Sequence, residues 1–132
     1  MRTFIALILP ALMLLAPATT AQGAASPATR FYMDYRTAWG KATSIDALLP
    51  YLSRDGRTEI EATPQDKRQM MFDMMKMMGN MTNVKVVKES KQGDGYMLDL
   101  TAVGPDKKPM SGTAEIVMEG GALKLKKETW KG

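Results

Sequence analysis

The stretch NVKVVKESKQGDGYMLDLTAV, residues 83–103, is where the pattern of the chain changes. Before it, apolar residues recur every three or four positions. From here they recur at every second one, which is the period of a strand. Tyr96, Leu98, Leu100 and Ala102 share one face, and Met97, Asp99, Thr101 and Val103 share the other. Downstream, GTAEIVME (112–119) places Ala114, Ile116 and Met118 on one face, and ALKLKKETW (122–130) sets Leu123 and Leu125 against Lys124 and Lys126. The connectors KQGDG, GPDKKP and EGG carry turn residues, the last as a tight Gly-Gly hairpin. Connectors this short join antiparallel neighbours, so four strands in a meander are expected.

Upstream the reading is helical. Ser26 is placed to cap, Pro27 suits the first helical position, and Ala28, Phe31, Tyr32, Tyr35, Ala38 and Trp39 form an apolar stripe that Gly40 ends. TSIDALLPYLSRDG follows, with Ser44 as a cap and Ile45, Leu48, Leu49 and Leu52 as buried candidates. Pro50 limits it to short or kinked turns, and Asp55-Gly56 reads as a turn. A third helix begins with Thr63 as cap, Pro64 at its first position and Asp66 three residues on, and stops at Gly79. Helices first and strands after is the order of an α+β domain.

Residues 1–21 are expected to be removed. Arg2, the apolar run FIALILPALMLLA and the small residues of PATTAQGAA make the three parts of a secretory signal peptide, with cleavage after Ala21. The run is short for a membrane span and holds Pro10, so no stable membrane anchor is expected after processing. Residues 22–27 form a leader and 28–132 one domain, exported to the periplasm or outside the cell. A chain of that size buries on the order of 65% of its unfolded surface.

The chain has no Cys and no His. Disulfides, Ser-His-Asp and Cys-His catalysis, zinc sites and His-ligated haem are thereby excluded. The net charge of +4 falls by one with Arg2. Lysines crowd the last third, but acidic residues are interspersed and aromatics do not alternate with them, so no nucleic-acid partner is expected.

The order of these elements, with LLPYLS after an aromatic helix and LKLKKETWKG as closing strand, resembles the nuclear transport factor 2-like superfamily, and within it small exported bacterial proteins. The resemblance implies a cystatin-like cone in which a curved four-stranded antiparallel sheet wraps a helix and leaves a pocket. That superfamily hosts isomerases, cyclases, dehydratases and binding modules, so fold does not decide function. A ketosteroid-isomerase-like site would need an acid and a Tyr in an apolar pocket. Asp34, Tyr32, Tyr35, Asp99 and Glu115 are the candidates, with Asp99 and Glu115 as neighbours on the face away from Leu98. Their bland alternative is a solvated cross-strand pairing with lysines.

The stretch MMFDMMKMMGNM (70–81) holds seven methionines. Met70, Met74, Met77 and Met81 fall within an arc of about 60° and are expected to be the buried face of the third helix. Asp73 and Lys76 are assigned to solvent. Met71, Met75 and Met78 form a second stripe. Three readings compete for it: core packing, an adaptable apolar surface, and a thioether site for Cu(I). Trp130 has the parity of Lys124 and Lys126, so a bulge, or a strand end that leaves the sheet, must intervene. The expected function is a binding or interaction module without catalysis or cofactor. It takes an apolar ligand or protein partner at Met71, Met75, Met78, Tyr35 and Asp99, with a homodimer through the sheet as one arrangement. A pocket enzyme and a Cu(I) binder are the alternatives.

Overall fold

The computed structural model describes residues 25–78 and 80–132, except for the side chain of Met78. The expected signal segment, the first half of the leader and Gly79, the expected helix stop, lie outside these residues. Helix α1 (Pro27–Lys41), a 3-10 helix (Ile45–Tyr51), α2 (Arg54–Glu61) and α3 (Gln65–Met78) precede strands β1 (Thr82–Gln92), β2 (Gly95–Val103), β3 (Pro109–Glu119) and β4 (Ala122–Lys131). The strands form an open antiparallel sheet in the order β1-β2-β3-β4, which is the expected meander. Among the described residues no helix is long and apolar enough to cross a membrane.

Helix α1 forms where its local signals place it. The Ser26 hydroxyl accepts from the Thr29 amide at 3.2 Å and donates to Glu89, which also accepts from the Thr29 hydroxyl at 2.9 Å. The cap therefore also ties the helix to β1. Ala28, Tyr32, Tyr35 and Trp39, spaced i, i+4, i+7 and i+11, are buried. Burying each aromatic contributes on the order of 2–3 kcal/mol. The helix runs through Gly40, the expected stop, to Lys41, and the Ala42 amide closes its last turn on the Trp39 carbonyl at 3.3 Å.

The 3-10 helix contains Pro50 and buries Ile45 and Leu48. Asp55-Gly56, expected as a turn, lies inside α2. The Glu119 carboxylate receives the Arg54 amide at 3.0 and 3.2 Å, and this supply of an acceptor at the helix start overrides the local turn preference. Thr63 does not cap α3 as expected. Its hydroxyl donates back to the Glu59 carbonyl at 3.2 Å. Arg68 holds the corner instead, donating to Thr63 O (2.8 Å), Glu61 O (3.0 Å) and Asp46 Oδ1 (3.0 Å).

Helix α3 faces the opposite way from its expected orientation. Met70, Met74 and Met77 are 64%, 55% and 80% exposed, whereas Phe72 is 2% exposed. Phe72 packs edge-on against Trp39 with ring centroids 5.4 Å apart. Lys76, assigned to solvent, donates to the Trp39 carbonyl at 2.6 Å and lies 5.1 Å above the Trp39 ring. The helix docks on α1 through one aromatic. A count of methionines per stripe misses this, because one ring aimed at another outweighs several flexible thioethers.

On the sheet, Leu98, Leu100, Ala102, Ala114, Ile116 and Leu125 are buried, as the alternation requires. Met118, expected beside them, is 41% exposed at the far end of β3. Gly120 and Gly121 both have positive φ (57° and 80°), which the two-residue hairpin turn demands. Between β3 and β4 the register runs to Ile116 opposite Leu125 and resumes with Glu115 opposite Lys127. Lys126 is the extra residue of a β-bulge, and it reverses the parity of the strand. Glu128 and Trp130 therefore lie opposite Ala114 and Gly112, on the helix-covered face. This resolves the Trp130 conflict in favour of a bulge. Gly112 is required there, since a Cβ would stand 2.8 Å from the Trp130 ring and 2.3 Å from the Thr129 carbonyl oxygen.

Candidate functional site

The bulge in β4 carries one carboxylate beneath α1. The Tyr32 hydroxyl donates to Glu128 Oε2 at 2.5 Å, Trp130 Nε1 donates to the same oxygen at 3.1 Å, and Arg36 Nη1 reaches it at 3.4 Å. Tyr32 and Arg36 are one turn apart on α1, so the helix presents both to one point. The Arg36 and Glu128 side chains are only 11% and 14% exposed. A buried charge pair is stable when further hydrogen bonds satisfy it, and two neutral donors do so here.

Burial, and secondarily the Glu128 charge, pushes the Tyr32 hydroxyl far above the ordinary phenol value, and burial does the same to Tyr35. The sign of the linkage follows. The unfolded chain loses its phenolic protons near the ordinary value of 10.0 while the folded chain keeps them. This contribution is intact below about pH 10 and is lost as pH rises from there toward the folded values, at about 1.4 kcal/mol per pH unit for each tyrosine. Urea unfolding between pH 9 and 11.5 should show this fall, and Tyr32→Phe should flatten it by about half. An equal slope in the variant would contradict the assignment.

Beside Glu128 is a half-open cavity of about 300 Å³. Tyr35, Trp39, Trp130, Met75, Met81 and Met110 make its apolar walls, and Arg36 and Glu128 supply its polar atoms. A neighbouring cavity of about 310 Å³ shares Arg36, Trp39 and Met81 and adds Lys76, Asn80 and Val84. Of the residues singled out from sequence, Tyr35 and Met75 line the first cavity, and Tyr32 meets its carboxylate from behind. Met71 is partly buried and packs against the core. The side chain of Met78, the third member of the expected trio with Met71 and Met75, lies outside the described residues. Asp34 is exposed on α1. Asp99 and Glu115 are partly exposed on the opposite side of the sheet, away from this cavity. Asp99 stands opposite Thr113 and Lys88, and Glu115 opposite Met97 and Lys127, so the two are diagonal neighbours among lysines. There Asp99 lines an open recess of about 560 Å³ with Val87, Thr101 and Trp130, and Glu115 a smaller one with Met97 and Lys127, both separate from the Glu128 cavity. Sequence reasoning missed Glu128, Arg36 and Met110. The signal that pointed to Glu128 was the parity of Trp130, because whatever turns Trp130 inward turns Glu128 with it.

Set against known protein families, curated proteins and solved structures, the chain matches none.

Proposed function

We propose that this chain is an exported, nuclear transport factor 2-like binding module that takes a small apolar ligand in the cavity between α1, α3 and β4. The observation that carries the reading is that cavity: aromatic and thioether walls around a small set of fixed polar atoms, at the lower end of the size range of ligand sites. Methionine walls adapt to the shape of what they hold. Binding is favoured over turnover because the acid and the tyrosine face each other. The Tyr32 proton is directed at Glu128, and Glu128 Oε2 already receives three protein donors. A pocket isomerase would aim such groups at its substrate instead.

The chain contains two tryptophans, and both line the cavity. Intrinsic fluorescence therefore reports its occupancy. Titration with 1-octanol should give a saturable change in emission, and Met110→Trp, which fills the cavity, should abolish the octanol-dependent part. A linear, non-saturating response in the unmodified chain would overturn the reading.

A further inference from the structure

We infer that the ligand of this cavity is an acyl chain ending in a carboxylate, with its head held by Arg36 and Lys76. The inference rests on the apolar-ligand reading above and adds the chemistry of the head group. Arg36, Trp39 and Met81 line both cavities, so the apolar room adjoins a vestibule. The vestibule holds two cationic side chains, Arg36 and Lys76, and no Asp or Glu is among its lining residues. Glu128, the carboxylate on the wall of the apolar room, is engaged through Oε2. A negative head is therefore repelled from the inner wall and attracted to the vestibule, while the tail meets tryptophan and methionine. The reverse polarity fails. An ammonium head would enter a space occupied by two cations, and the Trp39 ring that could receive it already has Lys76 at 5.1 Å and Arg36 at 6.0 Å from its centroid.

Both cations are held in place before any ligand arrives. Arg36 is fixed by Glu128 at 3.4 Å on Nη1, and among the described residues its Nη2 meets no hydrogen-bond acceptor. Lys76 is fixed by one bond to the Trp39 carbonyl at 2.6 Å, leaving the other two donors of its ammonium. Two prepositioned donors in a half-buried recess suit the two oxygens of a carboxylate. Lipid and free acid share this head-and-tail chemistry, and a short free acid is the simplest probe of it.

The test compares octanoate, 1-octanol and octylamine on the unmodified chain at pH 7 and low salt, read by tryptophan emission. Octanoate should bind about tenfold more tightly than octanol, the factor expected of one added charge-assisted contact, and octylamine more weakly than either. The octanoate advantage should shrink with added salt and disappear in Lys76→Gln, while Lys76→Arg should keep it. Equal binding of acid and alcohol, or tightest binding of the amine, overturns the head-group inference and leaves the apolar-ligand reading standing. No saturable response to any of the three overturns both. Because the three-ligand comparison uses the unmodified chain, it decides the matter even if Lys76→Gln proves unstable.

Discussion

Glu128→Leu should lower the unfolding free energy by about 3–5 kcal/mol, the range for removing one partner of a buried charge pair. The leucine fits a mostly apolar surrounding, so the cost does not come from packing. It comes from what is left behind: the Tyr32 hydroxyl, the Trp130 indole N–H and the Arg36 guanidinium all lose the acceptor at Oε2. Tyr32 is fully buried, so water does not replace that acceptor without opening the core. The loss is a fraction of a typical domain's total stability large enough to show at once in urea unfolding. Glu128→Gln, which keeps an acceptor oxygen for the two neutral donors, should cost less than half as much. The double variant Tyr32→Phe with Glu128→Leu should be less destabilised than the sum of the single changes, because the hydroxyl that Glu128→Leu orphans is gone. Additive losses would show that the two groups do not depend on each other, contrary to the 2.5 Å contact.

This carboxylate also marks the limit of what the sequence discloses. The α1 stripe is legible because every signal for it is local: a cap, a proline and a stripe at helical spacing. The strands are legible because alternation needs only one chain segment to be seen. A bulge is a property of a pair of strands. Nothing in ALKLKKETW states that Lys126 will stand outside the register, and without that residue's displacement Glu128 counts as a surface charge. The indole of Trp130 was the hint, since leaving it on the solvated face has a large apolar cost. The cavity is less legible still. Its walls come from α1, α3, the link after α3, β3 and β4, and no spacing within one segment relates Met81 to Met110. The methionine helix failed for a related reason. Periodicity ranks the faces of a helix by how apolar they are, but the neighbouring ring decides which face is used. Trp39 selected Phe72 over the larger stripe.

Phe72→Ala should therefore detach α3 rather than merely loosen it. The substitution removes the side chain that is 2% exposed and packs edge-on against Trp39, and large-to-small changes of this kind cost about 3–5 kcal/mol. Apart from Met71, which leans on the core, polar contacts hold the rest of α3: Lys76 reaches the Trp39 carbonyl, Arg68 holds the corner with α2 and pairs with Asp46, and Gln65 and Gln69 donate to Asp46 and to the Thr43 carbonyl. A helix of this length is marginal in water on its own. With its anchor gone, the segment Gln65–Met78 should open separately from the rest of the chain, and hydrogen exchange read by peptide should show protection lost there while the peptides of β2 and β3 keep theirs. Met70→Ala and Met77→Ala, by contrast, should each shift the urea midpoint by no more than about 0.5 kcal/mol equivalent, as expected of exposed positions. The reverse ranking, a small loss at Phe72 and a large one at Met70 or Met77, would mean that α3 buries its methionine stripe after all. The cavity must respond as well, because Met75 reaches it from α3 and Met81 from the link that follows. Loss of saturable octanol binding in Phe72→Ala, with exchange protection in the sheet unchanged, would show that α3 is the wall that closes the site.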